Sequence, residues 1–255
     1  MSSGKLVKNL SRFRLITFDV TDTLLQAKFP AGVKYAKTAE SLGYGNIDPT
    51  LLNQHFRVEF KRMARLYPNF GRQTGELHWK DWWRLLLYSI FIKAGTNIPA
   101  EDLTVITNTL ITQYRTSECW NKCEGTDELL QSLKELGKKI GIISNYDPSL
   151  HKIIGEMDLP KFDFVLTSYE KNVLKPGSEI FDEALKLARV TKDQALHIGN
   201  TLETDYLGAL NAGWCSVHIT NKSDKWKEHS NINPDHVYPT LIDFLESLNR
   251  DEIKW

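Results

Sequence analysis

The sequence predicts an α/β protein: a parallel sheet covered by helices on both faces, with an all-helical insertion near its start. Three observations predict it. An apolar, β-branched and aromatic stretch, Phe13-Arg14-Leu15-Ile16-Thr17-Phe18, stops at a carboxylate, Asp19, as a buried strand does at the ligand-binding edge of an open sheet. Residues 30–115 then carry helical spacing with no convincing strand. From about Cys123 onward, short apolar runs alternate with amphipathic stretches, the rhythm of β and α units in a parallel sheet.

The helical stretch divides into four. Val33, Tyr35, Ala36, Ala39 and Leu42 mark the first helix. Asp48-Pro49 opens the second, an N-cap followed by proline at the first helical position, and Leu51, Leu52, Phe56, Phe60 and Met63 follow. The third runs from about Trp79 to Lys93 and stops before Gly95. Pro99 starts the fourth, with Leu103, Ile106, Leu110 and Tyr114. Helices joined by short loops predict a bundle. The aromatic stripe Trp79, Trp82 and Trp83 is expected to form its core, because aromatic side chains dominate core burial. A pocket lining is the alternative. Arg57, Lys61, Arg62, Arg65, Arg72 and Arg84 are expected on solvated surface.

Beyond it, Leu129, Leu130, Leu133 and Leu136 place an apolar face on a helix that ends at Gly137. Strands are expected over 139–145, 162–168, 195–200, 216–220 and 236–238. Helices are expected after Asp147-Pro148, over 180–188 and 206–212, and through Leu241, Phe244 and Leu248. The domains expected are a tail (1–12), a sheet core (13–26 and 118–250) and a helical insertion (27–117).

Composition narrows the function. Thirty-two basic and 32 acidic residues give a formal charge of zero, so neither nucleic acid nor a membrane surface is an expected partner. No apolar run has the length of a membrane span. Three cysteines, Cys119, Cys123 and Cys215, fit free thiols better than a disulfide framework. The basic start, with Lys5, Lys8, Arg12 and Arg14, lacks the apolar segment of a secretory signal. The cytoplasm is the expected compartment; the mitochondrion and nucleus stay open, as does the oligomeric state.

The strand ends carry the chemistry. The first gives Asp19, Thr21 and Asp22; the second, Ser144 and Asn145; the fourth, Asn200, then Glu203 and Asp205. Lys175 precedes Pro176-Gly177. With proline at the first helical position, Lys175 would sit at a helix start, where the dipole disfavours a cation. A nearby anion, carboxylate or phosphate, would explain it. His197 is expected to be a satisfied core residue.

In this order the motifs resemble those of the haloacid dehalogenase-like (HAD) hydrolases. They are Phe18-Asp19-Val20-Thr21-Asp22-Thr23-Leu24-Leu25, then Ile142-Ile143-Ser144-Asn145, then Lys175-Pro176-Gly177, then His197-Ile198-Gly199-Asn200 running on to Asp205. The resemblance implies a Rossmannoid core with an inserted helical cap of type C1 over 27–117, which would exclude water and choose the substrate. It implies Asp19 as nucleophile, Ser144 and the Asn145 backbone N–H as holders of the transferring group, and Lys175 as the compensating charge. Thr21 and Asp22 join Asn145 in contact with substrate. Asp19, the Thr21 carbonyl, Asn200 and Asp205 are the implied ligands of Mg²⁺.

Two residues depart from the family's phosphatases. Thr21 stands where they carry a second aspartate as general acid and base, and Asn200 where they carry a metal-binding aspartate. P-type ATPases share the threonine, and their aspartyl phosphate is long-lived. The expectation is therefore a slow, Mg²⁺-dependent phosphatase acting on a small phosphorylated metabolite. The alternatives are a catalytically impaired scaffold that binds a ligand or a protein, and a metal-independent dehalogenase.

Overall fold

The computed structural model describes residues 4–221 and 224–255. The chain divides into two compact units: Met1–Gln26, Lys122–Asn145 and Asp158–Trp255 form one, and Ala27–Asn121 with Tyr146–Met157 the other.

The first unit is built on a parallel sheet. Its strands are β1 (Leu15–Phe18), β2 (Lys139–Ser144), β3 (Phe164–Thr167), β4 (Ala195–Gly199), β5 (Cys215–Ile219) and β6 (Val237–Tyr238), in the order β3-β2-β1-β4-β5-β6. Every pairing is parallel, with Phe18 opposite Ile142 on one side and Ile198 on the other. All four residues of β1 are buried, which is why it reads as a continuous apolar run rather than an alternating one. The direction of winding reverses between β1 and β4. The crevice beyond the carboxyl ends of such a pair is where open α/β sheets bind ligands, and Asp19 and Asn200 follow those two strands. One core joins Leu15, Ile143 and Leu166 to Ile180, Phe181 and Ala184 of the helix Ser178–Ala188.

Several expectations need correction here. Residues 1–3 of the expected tail lie outside the described residues, but Gly4–Leu10 is a helix with Leu6 and Leu10 buried. Asn9 ties it to the other end of the chain: its side-chain amide donates to the carbonyls of Leu248 and Asp251 at 2.9 and 2.8 Å, and its oxygen accepts from the Ile253 N–H. Lys175 is not at a helix start. The helix begins at Ser178 with Gly177 as N-cap. A pair of three-residue strands, Leu25–Ala27 and Trp120–Lys122, is too short for alternation to reveal.

The second unit holds the helices Ala31–Ser41, Pro49–Leu66, Trp79–Lys93 and Ala100–Gln113. Asp48 caps Pro49–Leu66 by accepting the Thr50 N–H at 2.8 Å. Trp82 belongs to this unit's core with Leu52, Met63, Leu86 and Phe91, which settles the aromatic stripe in favour of packing at that residue. The helix Ser149–Glu156 also lies in this unit. Just before it, the buried Asp147 carboxylate accepts from Trp83 Nε1 and from the Ser149 N–H, each at 2.8 Å. No helix among the described residues is long and apolar enough to cross a membrane.

Glu59 is a buried carboxylate of the helical unit. Burial pushes its carboxyl up, but hydrogen bonds from Lys93, Ser89 and Arg62 outweigh that and hold it at about 2. Lys93 and Arg62 are partly exposed, so solvent screens their contribution. Glu59→Gln is expected to lower stability at neutral pH by on the order of 2 kcal/mol in urea titrations. A depressed carboxyl stabilises above its unfolded value and ceases to as pH falls through its folded value. The gap between wild type and Glu59→Gln should therefore narrow as pH drops from about 4.5 toward 2.

Candidate active site

The loop after β1 is wound tightly around one carbonyl. Val20 C=O accepts from the N–H groups of Thr23, Leu24 and Leu25 at 3.2, 2.9 and 2.9 Å. This turn needs a left-handed residue, and Asp22 supplies it with φ 58°; aspartate tolerates that region better than most side chains. Asp19 begins the loop with its own N–H on Ile198 C=O at 2.9 Å, so its backbone is still held by β4. Its side chain is 12% exposed, open enough to meet a ligand.

Lys175 reaches this carboxylate from the loop after β3. Its Nζ donates to Asp19 Oδ1 at 2.8 Å, to Ile143 C=O at 2.7 Å and to Asp205 Oδ1 at 2.5 Å. All three ammonium protons are thereby engaged. A buried ammonium is costly unless it is paired and fully hydrogen-bonded, and both conditions hold. Burial works against its charge, yet the two carboxylates outweigh burial and raise its pKa. Asp205 is buried too, but the Lys175 charge and a hydrogen bond from His197 keep it well below the usual carboxylate range. Burial dominates at Asp19 and raises it, against the pull of Lys175 and a hydrogen bond from Ser144.

Asn145 holds the lysine in place. Its amide donates to Lys175 C=O at 2.9 Å and its oxygen accepts the Lys175 N–H at 2.8 Å. That pair of bonds fixes the backbone from which the ammonium projects. The motif order anticipates a backbone N–H at Asn145 meeting substrate; the side-chain clamp was not legible, since two residues thirty positions apart must meet. Gly199 is required here as well. A Cβ on it would stand 2.4 Å from Asp205 Cγ, so only glycine lets that carboxylate pass behind Asp19.

The remaining expected residues sit less deeply. Asn200 follows β4 and accepts from Thr23 Oγ1 at 3.4 Å. Thr21 is half-buried and Asp22 exposed. A cavity of about 190 Å³ lies beside them, lined in part by Asp22, Thr23, Gln26 and Asn200. Glu203 is exposed.

The expected metal ligands are not equally free. Asp205 spends Oδ1 on Lys175 and His197, and Oδ2 on the Thr201 N–H at 2.8 Å. It is better suited to holding Lys175 than to binding a cation directly. Among the described residues, no cluster of three or more His, Cys, Asp or Glu side chains could hold a metal ion. What is left is a set of hard oxygens: one carboxylate oxygen of Asp19, the Thr21 carbonyl and the Asn200 side-chain oxygen. Mg²⁺ accepts such ligands, and commonly takes one or two carboxylates, waters and substrate phosphate. The set fits the ion, with a single negative charge to hold it.

Comparison with known proteins gives the family and the fold. A family model described as haloacid dehalogenase-like hydrolase matches residues 13–213. The chain is 39% identical to the Rhythmically expressed gene 2 protein of Drosophila melanogaster, over 98% of this chain and all of that protein. It is 34% identical to the Haloacid dehalogenase-like hydrolase domain-containing protein 3 of Bos taurus, over 92% of this chain and 96% of that one. Among solved structures it resembles YfnB of Bacillus subtilis, described as a HAD hydrolase and bound to magnesium, with TM-score 0.67 at 18% identity over 93% of this chain and 99% of that one. That likeness speaks for the fold.

Proposed function

This chain belongs to the haloacid dehalogenase-like hydrolase family, and within it we propose a slow phosphatase that hydrolyses a small phosphorylated metabolite through a covalent intermediate on Asp19. One observation carries the reading: a buried ammonium bonded to both Asp19 and Asp205. Such a group steadies a carboxylate that must stay ionised and offsets the charge of a phosphoryl group drawn up to it.

In the first step an Asp19 oxygen attacks phosphorus, the bond to the ester oxygen breaks, and the leaving alkoxide takes a proton from water. The Ser144 hydroxyl and the Asn145 backbone N–H donate to the phosphoryl oxygens. In the second step water attacks the same phosphorus, inorganic phosphate leaves, and the Asp19 carboxylate is restored. Mg²⁺, when bound by Asp19, the Thr21 carbonyl and Asn200, would offset phosphoryl charge. Thr21 cannot act as acid or base near neutral pH, so both proton transfers fall to solvent, and the steps are slow.

A neutral ligand at Asn200 weakens the hold on the cation. Asn200→Asp is expected to lower the Mg²⁺ concentration giving half-maximal activity by about tenfold, roughly 1.4 kcal/mol of binding, in a titration with p-nitrophenyl phosphate. An unchanged midpoint would remove Asn200 from the ligand set.

The same two residues favour a second reading, a scaffold that accepts a phosphoryl group at Asp19 and keeps it. Hydrolysis of p-nitrophenyl phosphate, with Mg²⁺ or with a chelator, separates the two. Steady Mg²⁺-dependent turnover supports the phosphatase; one equivalent of nitrophenol followed by arrest supports the scaffold. Metal-independent halide release from a 2-haloacid would contradict both.

A further inference from the structure

Two buried polar side chains lie beneath the site and touch none of the reacting atoms. Thr17 and His197 stand opposite each other in register on β1 and β4, and neither has exposed surface. His197 Nδ1 is 2.8 Å from Thr17 Oγ1, and His197 Nε2 is 3.4 Å from Asp205 Oδ1. Strand periodicity puts Thr17 on the same face as Asp19, and His197 on the same face as Gly199. The four groups Thr17, His197, Asp205 and Lys175 therefore form one buried line that ends on Asp19.

We propose that His197, set by Thr17, is a positioning residue that aims the Asp205 carboxylate and through it the Lys175 ammonium at Asp19. The inference rests on the reading of Asp19 as the reacting group.

Proton bookkeeping fixes the direction of each bond. Asp205 is ionised beside Lys175, and a carboxylate only accepts. The ring nitrogen facing it must therefore carry hydrogen, which assigns the proton to Nε2. The ring has no exposed surface and its one carboxylate neighbour is already paired with Lys175, so a second ring proton would be a buried charge without a counterion; Nδ1 therefore carries a lone pair and receives. Thr17 Oγ1–H is the donor it meets. The other acceptor in reach of that hydroxyl, Leu196 C=O, is at 3.5 Å, too long to compete. Thr17 thus selects the ring tautomer that Asp205 needs.

The consequence at Asp205 is a carboxylate with both oxygens directed: Lys175 and His197 on Oδ1, the Thr201 N–H on Oδ2. The His197 contact is long, so it orients more than it binds. Without it, Asp205 keeps Lys175 and the Thr201 N–H but loses the contact that sets the tilt of Oδ1, and the Lys175 ammonium shifts with that oxygen relative to Asp19.

Packing alone makes the opposite forecast. The Phe181 and His197 rings pack nearly perpendicular with centroids 5.4 Å apart, a contact an aliphatic side chain would satisfy. If His197 only fills space, His197→Leu should be tolerated better than His197→Gln. If it positions Asp205, glutamine should be the better substitute, because its amide N–H can stand near the Nε2 site.

The experiment uses the full chain, wild type and the variants Thr17→Val, His197→Gln and His197→Leu. Nitrogen-15 spectra of the histidine rings read the tautomer, and carbon-13 spectra of labelled lysine read the Lys175 ε-carbon, assigned by its disappearance in Lys175→Met. The expected results are an Nε2-protonated His197 in wild type and mixed tautomers in Thr17→Val. The Lys175 signal should be displaced in His197→Leu and restored in His197→Gln. With p-nitrophenyl phosphate, His197→Leu should lower kcat by about tenfold or more with KM little changed, and His197→Gln should recover most of it. An Nδ1-protonated ring, or a Lys175 signal indifferent to His197→Leu, would overturn the inference. If no protein turns over, the two spectroscopic results still decide the positioning role, and the phosphatase reading alone fails.

Discussion

Asp19→Asn is expected to cut turnover of a phosphate ester by about 10³-fold or more, to the level of the buffer, while leaving the protein folded. The carboxamide is close in shape to the carboxylate but cannot form a mixed anhydride with phosphorus, so the covalent route closes. Loss of a nucleophile is not shared out among the remaining groups, which act as a unit with it. The fold should tolerate the change. Asp19 sits at a loop start with its backbone held by Ile198, and Lys175 keeps Asp205 and the Ile143 carbonyl as partners. Removing a carboxylate that burial already disfavours relieves a desolvation cost. The check is kcat on p-nitrophenyl phosphate beside a urea unfolding curve. Residual activity within a few-fold of wild type, in a folded variant, would place the nucleophile elsewhere.

Thr21→Asp should move activity the other way, raising kcat near neutral pH by about 10²-fold. A positioned carboxyl two residues after the nucleophile would protonate the leaving group and then take a proton from the attacking water. Thr21 is half-buried, so a new carboxylate there can stay hydrated and avoid the cost that a second charge beside Asp19 and Asp205 would otherwise bring. Steady-state kcat compared between wild type and variant reads the effect. An unchanged rate, coupled with inactivity of Asp22→Asn, would shift the acid–base role to Asp22 and make the threonine irrelevant.

The parts of this protein legible in its sequence are those governed by local rules. β1, β2 and β4 are buried on both sides, so each reads as an apolar run that stops where the sheet edge begins. The helix Trp79–Lys93 was readable close to its observed ends, because its spacing is long and glycine follows its end. Asp19, Ser144 and Asn200 stood out as polar residues where apolar runs stop, and each lies at or just beyond the carboxyl end of its strand.

What escaped needs contacts between distant residues. The helix Gly4–Leu10 has seven residues, too few for periodicity to speak, and Asn9 holds it to the far end of the chain. Lys175 drew attention for a helix-dipole conflict that the structure does not contain; it owes its place to Asp19, Asp205 and Ile143. Asn145 works through its side chain on the Lys175 backbone. His197 reads as an ordinary core residue because nothing local reveals that Thr17 and Asp205 flank its two ring nitrogens. Register does: Thr17 falls opposite His197 once β1 is laid beside β4.

The central claim is that Asp19 takes the phosphoryl group. Incubating the full chain with Mg²⁺ and acetyl phosphate, then reducing any acyl phosphate with borohydride, converts a phosphorylated aspartate to an alcohol that peptide mass spectrometry can place. The account predicts that conversion at Asp19, abolished in Asp19→Asn. No conversion at residue 19, or conversion of another carboxylate that persists in the variant, would contradict it.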